Sequence, residues 1–150
     1  MRTIDVINEI INQSIDYKNI YNDESFYTSF YSINKLIYFA QNEMLNKYNV
    51  SLIDDAIIAD KTGPFIEKTM ILFSKYNFDK ITEKQEIKLI LPPRVKTVIN
   101  DVIKKYGRLT DQEIGVLVKY EKPWLDAMNN KENKEITNKL LKKHLSHYKK

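Results

Sequence analysis

Hydrophobic residues recur along most of this chain at intervals of three and four, which is the spacing of amphipathic helices. The first series begins at Ile4. A second, wider series predicts a helix from about Ser25 or Ser29 to Tyr48, covered by neighbours on more than one side. The members of this stripe are Ile33, Leu36, Ile37, Phe39, Ala40, Met44, Leu45 and Tyr48.

The middle of the chain is less regular. Residues 50–60 mix apolar and acidic positions without a helical period, which predicts a loop or a short strand. Gly63 and Pro64 end this segment, and we expect Pro64 in the first turn of a helix that continues to about Tyr76. Alternating positions at 87–91 predict a short strand before Pro92.

Helical spacing returns in the C-terminal half. Gly107 follows an amphipathic helix at the position of a C-terminal cap. Thr110 and Glu113 have the spacing of a capping box, in which each side chain bonds the backbone N–H of the other residue. A turn is predicted to begin at Pro123 and to contain Trp124, and a last helix carries leucines on one side and lysines on the other.

These elements predict a mainly α fold: one compact bundle of six or seven helices with a short β-hairpin. With 150 residues, one domain is expected at 1–129, followed by a basic C-terminal helix or tail at 130–150. The absence of cysteine excludes disulfides and thiolate metal sites and fits a cytoplasmic protein. No apolar run approaches the roughly 18 residues of a membrane span.

The positive charge of the chain is concentrated at its C-terminus. The formal net charge is +4, and residues 131–150 hold 7 of the 24 Lys and Arg residues but only 2 of the 20 Asp and Glu residues. A lysine-rich terminal helix is typical of a solvated face, so nucleic acid is not the expected partner. The alternative is nucleic-acid binding through Lys139, Lys142 and Lys143, which would weaken steeply with salt.

Motifs for catalysis or cofactor binding are scarce. The three glycines are too far apart for a phosphate-binding loop. His144 and His147 are three residues apart, but a metal site needs further ligands, so neither a metal nor a cofactor is expected. Asp54, Asp55 and Asp60 form one acidic cluster that we expect to be solvated or to face a partner. A hydrolase using these carboxylates is a remote alternative, and we expect no enzyme.

Two blocks of the sequence resemble the Panacea domain, the SocA-like and GepA-like family of antitoxins and phage-associated proteins. The first block joins "INKLIYFAQ" to "ADKTGP", and the second joins "YGRLTDQE" to "YEKPWLDAM". The residues of the resemblance that we expect to define the fold are Lys35, Leu36, Tyr38, Phe39, Gly63, Pro64, Pro123 and Trp124. For Lys35 we expect methylenes on the core and an ammonium at its rim.

The resemblance implies a largely α-helical protein that neutralises a cognate toxin, encoded beside it, by direct binding. In one branch of the family such a protein also delivers the toxin to a cytosolic protease. No catalytic residue or cofactor is implied. The candidate toxin-binding residues are Asp54, Asp55, Asp60 and Lys61, beside the Gly-Pro turn. Asp60 replaces a tryptophan of the family pattern, which could change the partner surface.

Overall fold

The computed structural model describes residues 2–76 and 79–145, which form seven α-helices and one two-stranded antiparallel hairpin. The predicted mainly α fold is confirmed. The elements are α1 (Thr3–Tyr21), α2 (Phe30–Tyr48), β1 (Ile58–Asp60), β2 (Gly63–Phe65), α3 (Glu67–Phe73) with a 3₁₀ turn (Ser74–Tyr76), α4 (Pro93–Tyr106), α5 (Asp111–Lys119), α6 (Lys122–Asn129) and α7 (Asn138–Leu145).

Helix α2 is the central element and packs against α1, α3, α4, α5, α7 and the hairpin. It begins after Ser29, whose hydroxyl accepts a hydrogen bond from the backbone N–H of Ser32. The predicted hydrophobic stripe is buried except for Tyr48, which is exposed at the C-terminal end of the helix. Burial on several sides explains why the stripe is wider than that of a surface helix.

The Gly-Pro pair forms part of the hairpin and does not begin a helix. Pro64 lies in β2 opposite Ala59, and α3 begins only at Glu67, so the predicted helical position of Pro64 is wrong. Gly63 has a φ of 122°, a conformation that favours glycine and lets the chain reverse after β1. Pro64 is tolerated there because Ala59, opposite it, directs its N–H away from β2 to the carbonyl of Lys134, so the ladder needs no N–H from Pro64.

The predicted strand at residues 87–91 is also wrong. This segment runs without regular structure beside α1, whose polar side chains bond its backbone and that of the residues just before it. Asn12 pairs with both backbone groups of Gln85, at 2.8 and 2.9 Å, and the carboxylate of Asp5 accepts the N–H of Lys88 at 3.0 Å. These helix side chains take the place of a neighbouring strand, so no sheet forms.

Helix ends in the C-terminal half follow the sequence signals. Both bonds of the capping box between Thr110 and Glu113 are present. Gly107 caps α4 as predicted, although its φ of −65° is an ordinary right-handed value. No helix among the described residues is long and apolar enough to cross a membrane.

The C-terminal segment packs on the rest of the fold. Before α7, residues 134–136 extend along β1, where Ala59 donates its N–H to the carbonyl of Lys134 and Ile136 donates to that of Ile57, both at 2.7 Å. Ile136, predicted on the last helix, therefore lies before it. Leu141 of α7 is fully buried against the core. Residues 146–150 of the predicted tail, with His147, lie outside the described residues.

Candidate binding site at the hairpin

The N-terminal half of α2, the hairpin and α3 enclose a depression of about 300 Å³, which we call the Lys35 pocket. Its walls are mostly apolar, and one basic side chain reaches into it from α2. The residues that form it include Phe30, Tyr31, Lys35, Asp60, Phe65 and Met70.

Lys35 is the unusual residue of this pocket. Its side chain is only 2% exposed, and its Nζ lies 3.6 Å from the centre of the Tyr31 ring in a cation–π contact. It makes no hydrogen bond or ion pair with any other residue in 2–76 and 79–145. The side chain therefore lies deeper than the rim position expected from the sequence.

Burial changes the protonation of Lys35. Removal of the ammonium from water lowers the pKa of Lys35 to about 7, and the negative charges of Asp111 and Asp60 offset only part of this effect. Positively charged Lys119 lowers the pKa further. Near neutral pH the pocket therefore holds a mixture of the ammonium and the free amine.

Two of the three glycines of the chain make room for this arrangement. A Cβ on Gly63 would lie 3.0 Å from Cε of Lys35 and 3.0 Å from Cγ2 of Val118. A Cβ on Gly115 of α5 would lie 2.2 Å from the hydroxyl oxygen of Tyr31. The absent side chains let the hairpin and α5 approach the lysine and the tyrosine closely.

Side chains from α2 and α6 hold the hairpin turn over the pocket. The Tyr31 hydroxyl donates a hydrogen bond to the carbonyl of Thr62 at 3.1 Å. From the other side, Nε1 of Trp124 donates to the carbonyl of Asp60 at 3.0 Å. Residues from three parts of the chain thus meet at one turn.

The aromatic residues that follow Lys35 are part of the core. Tyr38 is fully buried, and its hydroxyl lies 3.5 Å from Oε1 of Glu121. Burial raises the pKa of the Glu121 carboxyl. Phe39 stacks on Tyr106 of α4 with ring centres 4.0 Å apart. Leu36 is buried as well. These contacts fit the structural role expected for Leu36, Tyr38 and Phe39.

A model of the SocA-like antitoxin family, the Panacea domain, matches residues 33–125. The chain belongs to this family. The match contains Lys35, both glycines of the pocket and Trp124, and it ends before α7. No curated protein and no solved structure matches the chain.

Two of the four candidate toxin-binding residues lie away from the pocket of this Panacea domain. Asp54 and Asp55 belong to a smaller depression of about 180 Å³ between the loop after α2 and the segment before α7. Asp55 accepts a hydrogen bond from Thr3 at 3.0 Å, and its carboxylate lies 3.6 Å from Lys68. These contacts give Asp55 a role inside the fold.

The other two candidates are at the hairpin turn. Asp60 lines the Lys35 pocket, with its carboxylate accepting a hydrogen bond from the Thr62 hydroxyl at 3.2 Å, and Lys61 is exposed beside it. The structure therefore brings Asp60 and Lys61 together with Lys35 and separates them from the earlier acidic pair.

The three lysines considered for nucleic acid do not form one basic strip. Lys139 and Lys143 line a depression of about 700 Å³ that also contains the acidic residues Asp126 and Glu135. Lys142 lines a different one, beside the end of α2. This mixture of charges does not favour binding to a phosphate backbone.

Nothing resembling a metal site occurs in the described part of the chain. His144 lies 2.7 Å from the carboxylate of Asp126, and no group of three or more His, Asp or Glu side chains could hold an ion there. The predicted histidine pair extends to His147, outside the described residues.

Sequence reasoning missed three residues of the site: Tyr31, Asn34 and Gly115. Asn34 is buried, and its Oδ1 accepts the backbone N–H of Ile66 at 2.8 Å, which fixes α3 on α2. Tyr31 precedes Lys35 by four residues, a spacing that places two helix side chains side by side. That spacing was the available signal for Tyr31, whereas Gly115 comes close to it only through the tertiary fold.

Proposed function

We propose that this Panacea-domain chain is an antitoxin that neutralises a cognate toxin by direct binding and performs no catalysis of its own. The toxin is expected to be the product of a neighbouring gene. The observation that carries this proposal is the match to an antitoxin family over residues 33–125, which includes the residues of the Lys35 pocket from Asn34 onward.

The hairpin side of the molecule is the proposed toxin-binding face. It offers a preformed concavity, and concave apolar surfaces with a few polar groups are typical binding sites. Met70 lines the pocket, and the next residue of α3, Ile71, is 78% exposed. With Asp60 and Lys61 at the turn, this face combines apolar area with charges of both signs.

Co-expression tests this function. The neighbouring gene should arrest growth when expressed alone, and co-expression of the present chain should restore growth. The two purified proteins should then elute together in size-exclusion chromatography. Toxicity that persists although the chain is abundant and soluble would reject the proposal.

Neutralisation can proceed by masking the toxin or by delivering it to a protease. Masking leaves the amount of toxin unchanged, whereas delivery shortens its half-life only when the protease is present. Toxin half-life, measured by pulse–chase in cells with and without their cytosolic ATP-dependent proteases, separates the two routes.

A further inference from the structure

We propose that the Lys35 pocket receives a carboxylate of the toxin, carried on a side chain or chain end that is flanked by apolar groups. This inference rests on the proposed antitoxin function, because it specifies the chemistry of the surface that the toxin presents. The proposal follows from the surroundings of one buried amine.

Lys35 is a buried cation without an anion. Buried charges in folded proteins are normally paired, because removal from water is costly unless a counter-charge or hydrogen bonds compensate. Lys35 has the cation–π contact with Tyr31 but no carboxylate within ion-pair distance in the described ranges. An incoming carboxylate would supply the missing partner.

The amine is also held in position. Cε of Lys35 lies against Gly63, and the Tyr31 ring covers one side of Nζ. Tyr31 is itself fixed by its hydrogen bond to Thr62. A positioned donor loses little conformational entropy when a ligand binds, which favours recognition.

The pocket walls specify the rest of the ligand. Phe30, Phe65 and Met70 surround the approach to the amine, so a carboxylate joined to an apolar body fits better than a free inorganic anion. Depletion of water by these walls strengthens the attraction between the two charges.

Two carboxylates of the chain face Lys35 without pairing with it. Asp60 of β1 is exposed at the rim, where water screens its repulsion of an incoming anion. Asp111 of α5 accepts hydrogen bonds from Ser29, at 2.9 and 3.0 Å, and from Tyr27. Asp111 is thereby committed to the start of α2 and leaves the pocket side of the amine open.

Carboxylate binding should depend on pH through Lys35. The charged and titratable groups around it are Tyr31 on α2, Asp60 on β1, and Asp111 and Lys119 on α5. Only the ammonium form attracts an anion, and burial lowers the pKa of Lys35 to about 7. Affinity should therefore fall by about tenfold or more between pH 6.5 and pH 8.5.

The first experiment uses the full chain and 4-methylpentanoate, a branched carboxylate. Titration followed by NMR of ¹⁵N-labelled lysine side chains should show binding at Lys35, with a dissociation constant on the order of millimolar. The neutral 4-methylpentanamide should bind at least tenfold more weakly. Lys35→Met should abolish binding, while Lys104→Met, which removes an exposed charge from α4, should leave it within twofold.

Three results would overturn the inference: equal binding of the carboxylate and the amide, equal loss in the two lysine variants, or no dependence on pH. Absence of carboxylate binding to the unmodified chain would overturn it as well. None of these results requires the toxin, so this experiment tests the pocket separately from the antitoxin function.

The second experiment uses the toxin found by co-expression. Lys35→Met should weaken the complex at least tenfold and the α4 variant Lys104→Met less than threefold, because the first change leaves a toxin carboxylate buried without a partner. Equal affinities of the unmodified chain and Lys35→Met would overturn the assignment to the toxin. If no toxin binds the unmodified chain, the antitoxin function fails, and the 4-methylpentanoate result alone decides whether the pocket binds carboxylates.

Discussion

Two buried polar side chains of α2, Lys35 and Gln41, have the same exposure of 2% and opposite surroundings. The amide nitrogen and the amide oxygen of the Gln41 side chain both make hydrogen bonds. Its Nε2 donates to the hydroxyl of Ser51 at 3.0 Å and to Oδ1 of Asn138 at 2.6 Å, and its Oε1 accepts the N–H of Leu52 at 2.6 Å. Lys35, six residues earlier, has only an aromatic ring against its amine.

Because their surroundings differ, Lys35 and Gln41 have separate roles although they belong to one sequence motif. Gln41 ties the loop after α2 and the first turn of α7 to the central helix, so its bonds serve the fold. A buried group with every bond made is costly to replace, whereas an unpaired buried charge is costly to keep. Replacement of each residue by methionine, which has a similar length, should therefore change stability in opposite directions.

The largest effect is expected for Gln41→Met. Loss of the amide leaves the buried N–H of Leu52 without an acceptor and breaks both bonds to Ser51 and Asn138. The free energy of unfolding should fall by about 3 kcal/mol, the sum expected for orphaned buried partners. Urea unfolding followed by circular dichroism measures this change. A loss below about 1 kcal/mol would mean that the hydrogen bonds of Gln41 contribute little to the stability of the fold.

Lys35→Met should instead stabilise the protein, by about 2 kcal/mol at pH 6.5, because it removes a buried unpaired charge. The pKa of Lys35 is about 7 in the folded state and 10.5 in the reference state, so between these values the unfolded chain binds more protons. The unmodified protein therefore gains stability with rising pH, and the advantage of the variant shrinks by up to about 1.4 kcal/mol per pH unit.

Urea unfolding of both proteins at pH 6.5, 7.5, 8.5 and 9.5 gives the difference directly, since other titrating groups cancel. The matched control is Lys61→Met, whose lysine is exposed. Its stability difference from the unmodified protein should not vary with pH over this range. A flat difference for Lys35→Met would mean that the amine stays charged and solvated.

The helices could be predicted from sequence because their signals are local. The wide stripe of α2 and its start at Ser29, and the capping box at Thr110, depend on residues within a few positions of one another. The strand predicted at residues 87–91 was wrong for the opposite reason. Their alternation matches a strand, but the partner of this region is a row of polar side chains on α1, 73 to 83 residues earlier.

The Lys35 pocket could likewise be predicted from sequence only in part. Sequence identified Lys35 and Gly63 as motif residues, but the burial of the amine depends on Tyr31, Gly115 and Trp124 meeting around the hairpin. Closeness in sequence does not predict closeness in the fold either. Asp55 and Asp60 are five residues apart, yet they belong to different depressions because β1 begins between them. Long-range packing, which no local pattern encodes, decides both cases.

Gly115→Ala tests how tightly the aromatic side of the pocket is fixed. Alanine in a helix is normally more stable than glycine by up to about 1 kcal/mol. Here the new Cβ would lie 2.2 Å from the Tyr31 hydroxyl oxygen, so we expect a loss of about 1 kcal/mol instead. In a Tyr31→Phe background the hydroxyl is absent and the nearest ring atom is 3.2 Å from the new Cβ, so the same change should cost much less. A gain in both backgrounds would show that Tyr31 moves freely.

The smallest effect is expected for Lys47→Met, on the same helix as Lys35 and Gln41. Lys47 is well paired, with its Nζ 2.8 Å from Asp101 and 3.5 Å from Glu43, but all three side chains are substantially exposed. Exposed ion pairs contribute little because water and salt screen them, so the free energy of unfolding should change by less than about 0.5 kcal/mol, and less still in 0.5 M NaCl. A larger change would mean that an exposed ion pair on α2 affects stability more than the burial of a side chain does. A small one, beside the effect of Lys35→Met, would show that burial determines which lysine of this helix affects stability.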